Sequence, residues 1–179
     1  AAFGACLVSR EIILVPYYKR RRLIAEGRQF KTPNMLVKEE IIIRPIAQSR
    51  VGEVDFDSLE FGKYVSDHML VCDYTDGEWQ TPKIIPFGDI TLSPTALALH
   101  YGQSVFEGMK AFQMNDRKIN LFRPYKHYDR FTKSLQRLCM PKIPEELFVN
   151  GLRELVKLDK NWIPKQAGGA LYIRPFVFA

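Results

Sequence analysis

Residues 121 to 131, LFRPYKHYDRF, place two arginines, a lysine and a histidine among four aromatic rings. A guanidinium is a planar fork that matches phosphate oxygens two at a time, and interleaved rings can stack on bases. The stretch could serve nucleic acid, a small phosphorylated cofactor, or neither. On helical spacing alone, Arg130, Lys133 and Arg137 read as one solvated face. A further arginine, Arg174, stands between Ile173 and Pro175 in the apolar run GGALYIRPFVFA, where burial is costly without a negative partner. Phe61, Tyr101, Phe106 and Tyr172 supply aromatic surface that could equally be core.

The distribution of charge separates these possibilities. The formal net charge is +6, but residues 1–34 account for +5 of it and residues 35–179 for only +1. The basicity belongs to the leading segment and gives the rest of the chain no basic face for nucleic acid. A nucleic-acid module would have to rest on YKRRR, and a noncatalytic interaction domain on the apolar run at 169–179. Cys6, Cys72 and Cys139 are far apart and form no Cys-x-x-Cys pair, which fits a reducing compartment. His68, His100 and His127 are as widely scattered, so no metal-ligand spacing is read. No apolar run reaches the length of a membrane span.

Several elements must position the candidate residues. At 179 residues and 46% apolar, the chain can bury one ordinary core. Residues 1–34 read as a basic leader or upstream extension, with Met35 as the expected natural start. From Met35 on, EEIIIRPI and SDHMLVCDY read as strands, and TDGE as the turn before a hairpin partner running through KIIPFGDITL. GMKAFQ and KINLF form a second expected hairpin around Asn115 and Asp116. Two helices should follow, one with Tyr128, Phe131, Leu135 and Leu138 on its apolar face, the next with Leu147, Leu152, Leu155 and Val156. The last strand expected is LYIRPFVFA, and the class is α/β of the α+β type.

The blocks LHYGQSVFEGMKAF, LFRPYKHYDRF, RLCMP, NWIP and LYIRP occur in the order and register found in one family. From about Leu59 to Ala179 the chain resembles the branched-chain amino acid aminotransferases, pyridoxal-phosphate enzymes of fold type IV. The resemblance implies a small N-terminal domain, mostly antiparallel sheet flanked by helices, at residues 35–179. The large C-terminal domain would be absent.

In that family an arginine in the first turn of the helix after the LFRP loop holds the cofactor phosphate, and Arg130 is the matching residue. Phe61, Tyr101, Phe106 and Tyr172 match positions that wall the substrate side-chain pocket. Arg174 matches the arginine that receives the distal carboxylate of glutamate or 2-oxoglutarate; a structural ion pair is the alternative. Lys110 in FEGMKAF is rejected as the Schiff-base lysine, which the resemblance places beyond Ala179, so no catalytic residue is expected in this chain. His127 departs from the asparagine common in branched-chain enzymes, and the wider group includes D-amino acid aminotransferases. The resemblance further implies amino acid and 2-oxo acid substrates, a homodimer in the complete enzyme, and a cytoplasmic or alternatively mitochondrial location.

Overall fold

The computed structural model describes residues 41–60 and 62–179, together with the backbone of residues 11–15. In chain order the strands are β1 (Glu11–Val15), β2 (Ile42–Ile43), β3 (His68–Val71), β4 (Tyr74–Thr75), β5 (Glu78–Trp79), β6 (Lys83–Pro86), β7 (Ser104–Phe106), β8 (Met109–Gln113), β9 (Ile119–Leu121) and β10 (Leu171–Phe178). The helices are α1 (Leu97–Tyr101), α2 (Pro124–Arg137) and α3 (Glu145–Leu158). The main sheet runs β2-β6-β3-β1-β10-β8-β9, with β7 also on β10, and β4 and β5 pair separately. Ladders β3–β6, β4–β5, β8–β9, β8–β10 and β7–β10 are antiparallel, whereas β1 runs parallel to β3 and β10, and β2 to β6. The class is α+β with a mostly antiparallel sheet, as expected.

Strand β10 sets the pattern of the core. Leu171, Ile173, Pro175 and Val177 are buried, while Tyr172, Arg174 and Phe176 alternate with them and are half-buried, the period of two that a pleated strand imposes. The buried set joins Leu70, Ile84, Met109 and Ala111 beneath α2 and α3. From the helices come Tyr128, Phe131 and Leu135, then Phe148, Leu152, Leu155 and Val156. The Phe148 ring lies 5.5 Å from that of Tyr128 and 5.8 Å from that of Phe131.

Several expectations need adjustment. Residues 1–34 read as a leader outside the fold, yet the backbone of Glu11–Val15 lies in the sheet between β3 and β10. Its aliphatic run IILV suits a strand with neighbours on both sides. Met35 and the rest of the leader lie outside the described residues. TDGE does make a turn, with Asp76 and Gly77 at φ of 55° and 89°, but it closes the short β4–β5 hairpin. KIIP pairs back with β3 instead. EEIIIRPI contributes only β2 within the described residues, and Leu138 caps α2 at 38% exposure rather than lying on its apolar face.

Candidate functional site

The chain changes partners on β10 at Glu107–Gly108. Before this point β7 pairs with Phe176–Phe178, and after it β8 pairs with Leu171–Ile173. The Glu107 N–H donates to the Pro175 carbonyl at 2.8 Å; proline has no N–H to return the bond. Two groups of candidate residues meet at this junction.

The first gathers around Arg174. Its guanidinium carbon lies 5.1 Å from the ring centroids of both Phe106 and Tyr172, and it donates to the Tyr172 hydroxyl at 3.2 Å. A cation held between two rings is favoured by their quadrupoles. A Cβ on Gly108 would collide with the Tyr172 hydroxyl, so glycine here lets that ring lie down on the junction. Phe106 is 66% exposed and forms the open wall.

The second group hangs from Glu107, a carboxylate only 6% exposed. Arg130 on α2 grips it with Nε, 2.6 Å from Oε2, and with a terminal nitrogen bonded to Oε1. The Gly108 N–H donates to Oε1 at 2.7 Å, and His127 Nδ1 lies 3.5 Å from the same oxygen. Burial by itself would push the Glu107 carboxyl up, but the bonds from Arg130 and Gly108 outweigh it and hold it below its ordinary value. The same partnership pushes the Arg130 guanidinium up.

Helix α2 starts earlier than expected. Arg123 is left-handed, at φ 47°, and Pro124 opens the helix with its missing N–H at a position that has no intrahelical acceptor. Arg130 is therefore in the second turn, not the first. Its side chain is 65% exposed, and the first-turn N–H groups have no side-chain cap. The outward-facing fork, a turn beyond the helix start, is the feature that suits a phosphate group.

Phe106, Tyr172 and Arg174 thus come together, and Arg130 reaches the same junction through Glu107. Tyr101 ends α1 at 82% exposure, with its ring 6.4 Å from that of His100 rather than in the Arg174 group. Phe61 lies outside the described residues. Lys110 is half-buried opposite Tyr172 in the β8–β10 register. Sequence reasoning misses Glu107, although an acidic residue in the apolar run SVFEGM is a signal that it needs a cation. His127 touches Glu107 and Arg130, so its departure from asparagine bears first on the arginine. Among the described residues no group of three His, Cys, Asp or Glu could hold a metal ion, and no helix is long and apolar enough to cross a membrane.

Comparison with known proteins finds relatives that are named as aminotransferases. More narrowly, the chain is a homologue of the branched-chain-amino-acid aminotransferases. It is 48% identical over 135 residues to branched-chain-amino-acid aminotransferase 2 of Bacillus subtilis, covering 75% of this chain and 37% of the relative. To branched-chain-amino-acid transaminase 1 of the same organism it is 47% identical over 126 residues, 70% of this chain and 35% of the relative. The Mycolicibacterium smegmatis branched-chain-amino-acid aminotransferase gives 47% over 121 residues, 66% of this chain and 33% of that protein. The chain thus spans about a third of the length of the curated relatives it matches. A solved structure, a T.th. branched-chain amino acid aminotransferase with pyridoxamine 5'-phosphate, is 31% identical with a TM-score of 0.43, covering 52% of this chain and 28% of that one. No family model matches.

Proposed function

We propose that this chain is the small N-terminal domain of a branched-chain amino acid aminotransferase, residues 35–179 with the strand Glu11–Val15 added to its sheet. The complete enzyme would be a cytoplasmic homodimer that passes the amino group of leucine, isoleucine or valine to 2-oxoglutarate. Pyridoxal phosphate, when bound, supplies the electron sink for moving the amino group. Arg130 would hold its phosphate. Phe106 and Tyr172 would wall the side-chain pocket and keep water from it, and Phe61 and Tyr101 are assigned to the same wall by the family resemblance alone. Lys110 takes no part as carrier of the cofactor.

The observation that supports this reading best is Arg174 lying between the rings of Phe106 and Tyr172. An aliphatic side chain would meet the rings, and an acidic one would reach the guanidinium, so one pocket could serve both halves of the exchange. The test is Arg174→Gln in the complete enzyme. The kcat/KM for glutamate should fall at least about tenfold further than that for leucine, because a charge-assisted bond is lost only with the acidic substrate. Equal losses for both would refute the role given to Arg174.

A further inference from the structure

Arg130 reaches outward on a long flexible stem, and an arginine free to sample its rotamers would lose much of that side-chain entropy on binding an anion. Here the side chain is pinned before any anion arrives. Nε and one terminal nitrogen are committed to Glu107. Of the five guanidinium N–H groups, the second on that terminal nitrogen is aimed at His127 Nδ1, and the two on the other terminal nitrogen, the outer edge, stay available for an anion. Glu107 is itself fixed, by the Gly108 N–H on its carboxylate and by its own N–H on Pro175. His127 Nδ1 braces the pair, 3.4 Å from the Arg130 terminal nitrogen.

We propose that Glu107 is the positioning residue for the phosphate anchor, holding Arg130 so that its outer edge faces the cofactor phosphate; this rests on the reading of Arg130 as that anchor. The carboxylate has two opposing effects. It orients the guanidinium, which favours the phosphate, and it offsets the positive charge, which disfavours it. Orientation is the larger effect, because the pair is bidentate and the carboxylate buried.

The test uses the 179-residue chain, with pyridoxine 5'-phosphate and pyridoxine as probes, since neither carries an aldehyde that could react with surface lysines. NMR titration gives the affinity ratio of the two, and the Arg130 Nε–H resonance gives its exchange with water. In the parent, the Nε–H should exchange slowly and the phosphate form should bind more tightly. Glu107→Gln should make the exchange fast and reduce the phosphate advantage about tenfold; Arg130→Gln should abolish the advantage. Should Glu107→Gln fail to fold, Glu107→Asp, which keeps the charge one methylene short, should lose part of the advantage. An undiminished or larger advantage in a folded Glu107 variant, or fast Nε–H exchange in the parent, overturns the proposal. Equal binding of both probes by the parent overturns the anchor reading itself, and the positioning role with it.

Discussion

The ring of Tyr172 rests on the backbone of Gly108, with its Cζ 3.0 Å from where a Cβ would stand. Alanine at Gly108 must therefore push away a stiff ring whose hydroxyl also accepts from Arg174. Gly108→Ala should cost about 1–3 kcal/mol in urea unfolding, the usual range for an inserted group in a packed site. Removing the hydroxyl with Tyr172→Phe should recover part of that loss in the double variant. Strict additivity would mean that the two residues do not meet.

A second close approach lies in the core. A Cβ on Gly151 of α3 would stand 2.6 Å from Leu70 Cδ2, and Leu70 is fully buried. Alanine normally stabilises a helix interior by about 1 kcal/mol over glycine. Here Gly151→Ala should lower stability instead, and shortening the neighbour with Leu70→Val should reverse the sign of the Gly151→Ala effect.

The buried pair His68–Asp159 ties β3 to the end of α3. Asp159 accepts from the His68 backbone N–H at 3.0 Å and sits 2.6 Å from Nδ1, while Nε2 accepts from the Ile46 N–H at 3.2 Å. That last bond fixes the tautomer: the proton is on Nδ1 and points at the carboxylate. Asp159→Ala leaves two buried donors without acceptors and should cost about 2–5 kcal/mol, read from the urea midpoint. A loss below about 1 kcal/mol would contradict the pairing.

Acid should destabilise the fold through two other carboxylates. Burial pushes Asp67 up, but the Ser49 hydroxyl, the Trp162 indole N–H and Arg50 outweigh it and hold it below its ordinary 3.8. Glu107 is likewise below its ordinary 4.5. With folded values lower than unfolded ones, their contribution is complete above the unfolded values and is lost as pH falls through the folded ones. Asp159, raised chiefly by burial, works in the opposite direction. The melting temperature should drop as pH falls from about 5 toward about 2, and Asp67→Asn should show a shallower drop. An equal slope in that variant would rule Asp67 out as a source.

Local signals located much of this architecture. Asn115 and Asp116 did mark the β8–β9 turn, where Asp116 accepts from the Lys118 N–H. The leucine spacing placed the buried face of α3. The blocks around FEGMK and LYIRP picked out Phe106, Tyr172 and Arg174, which do meet. What escaped depends on distance along the chain. The partner of Arg130 lies 23 positions away on a strand junction, and no helical period reports such a contact. Pro124 looked like part of a loop because proline usually ends helices; only the left-handed Arg123 before it makes it a beginning. Strand β1 was hidden by the basic residues that follow it, since charge belongs to the neighbourhood and pairing to five aliphatic-rich positions.

Pro175 is a missing tooth in an otherwise regular zipper. On its two sides β10 fastens β7 and β8 by separate sets of bonds. The dipeptide spanning the gap, Glu107–Gly108, carries the grip on Arg130 and the seat of Tyr172 together. The gap in the weave is therefore closed by side chains, at the place where the phosphate side and the side-chain side of the site are sewn to each other.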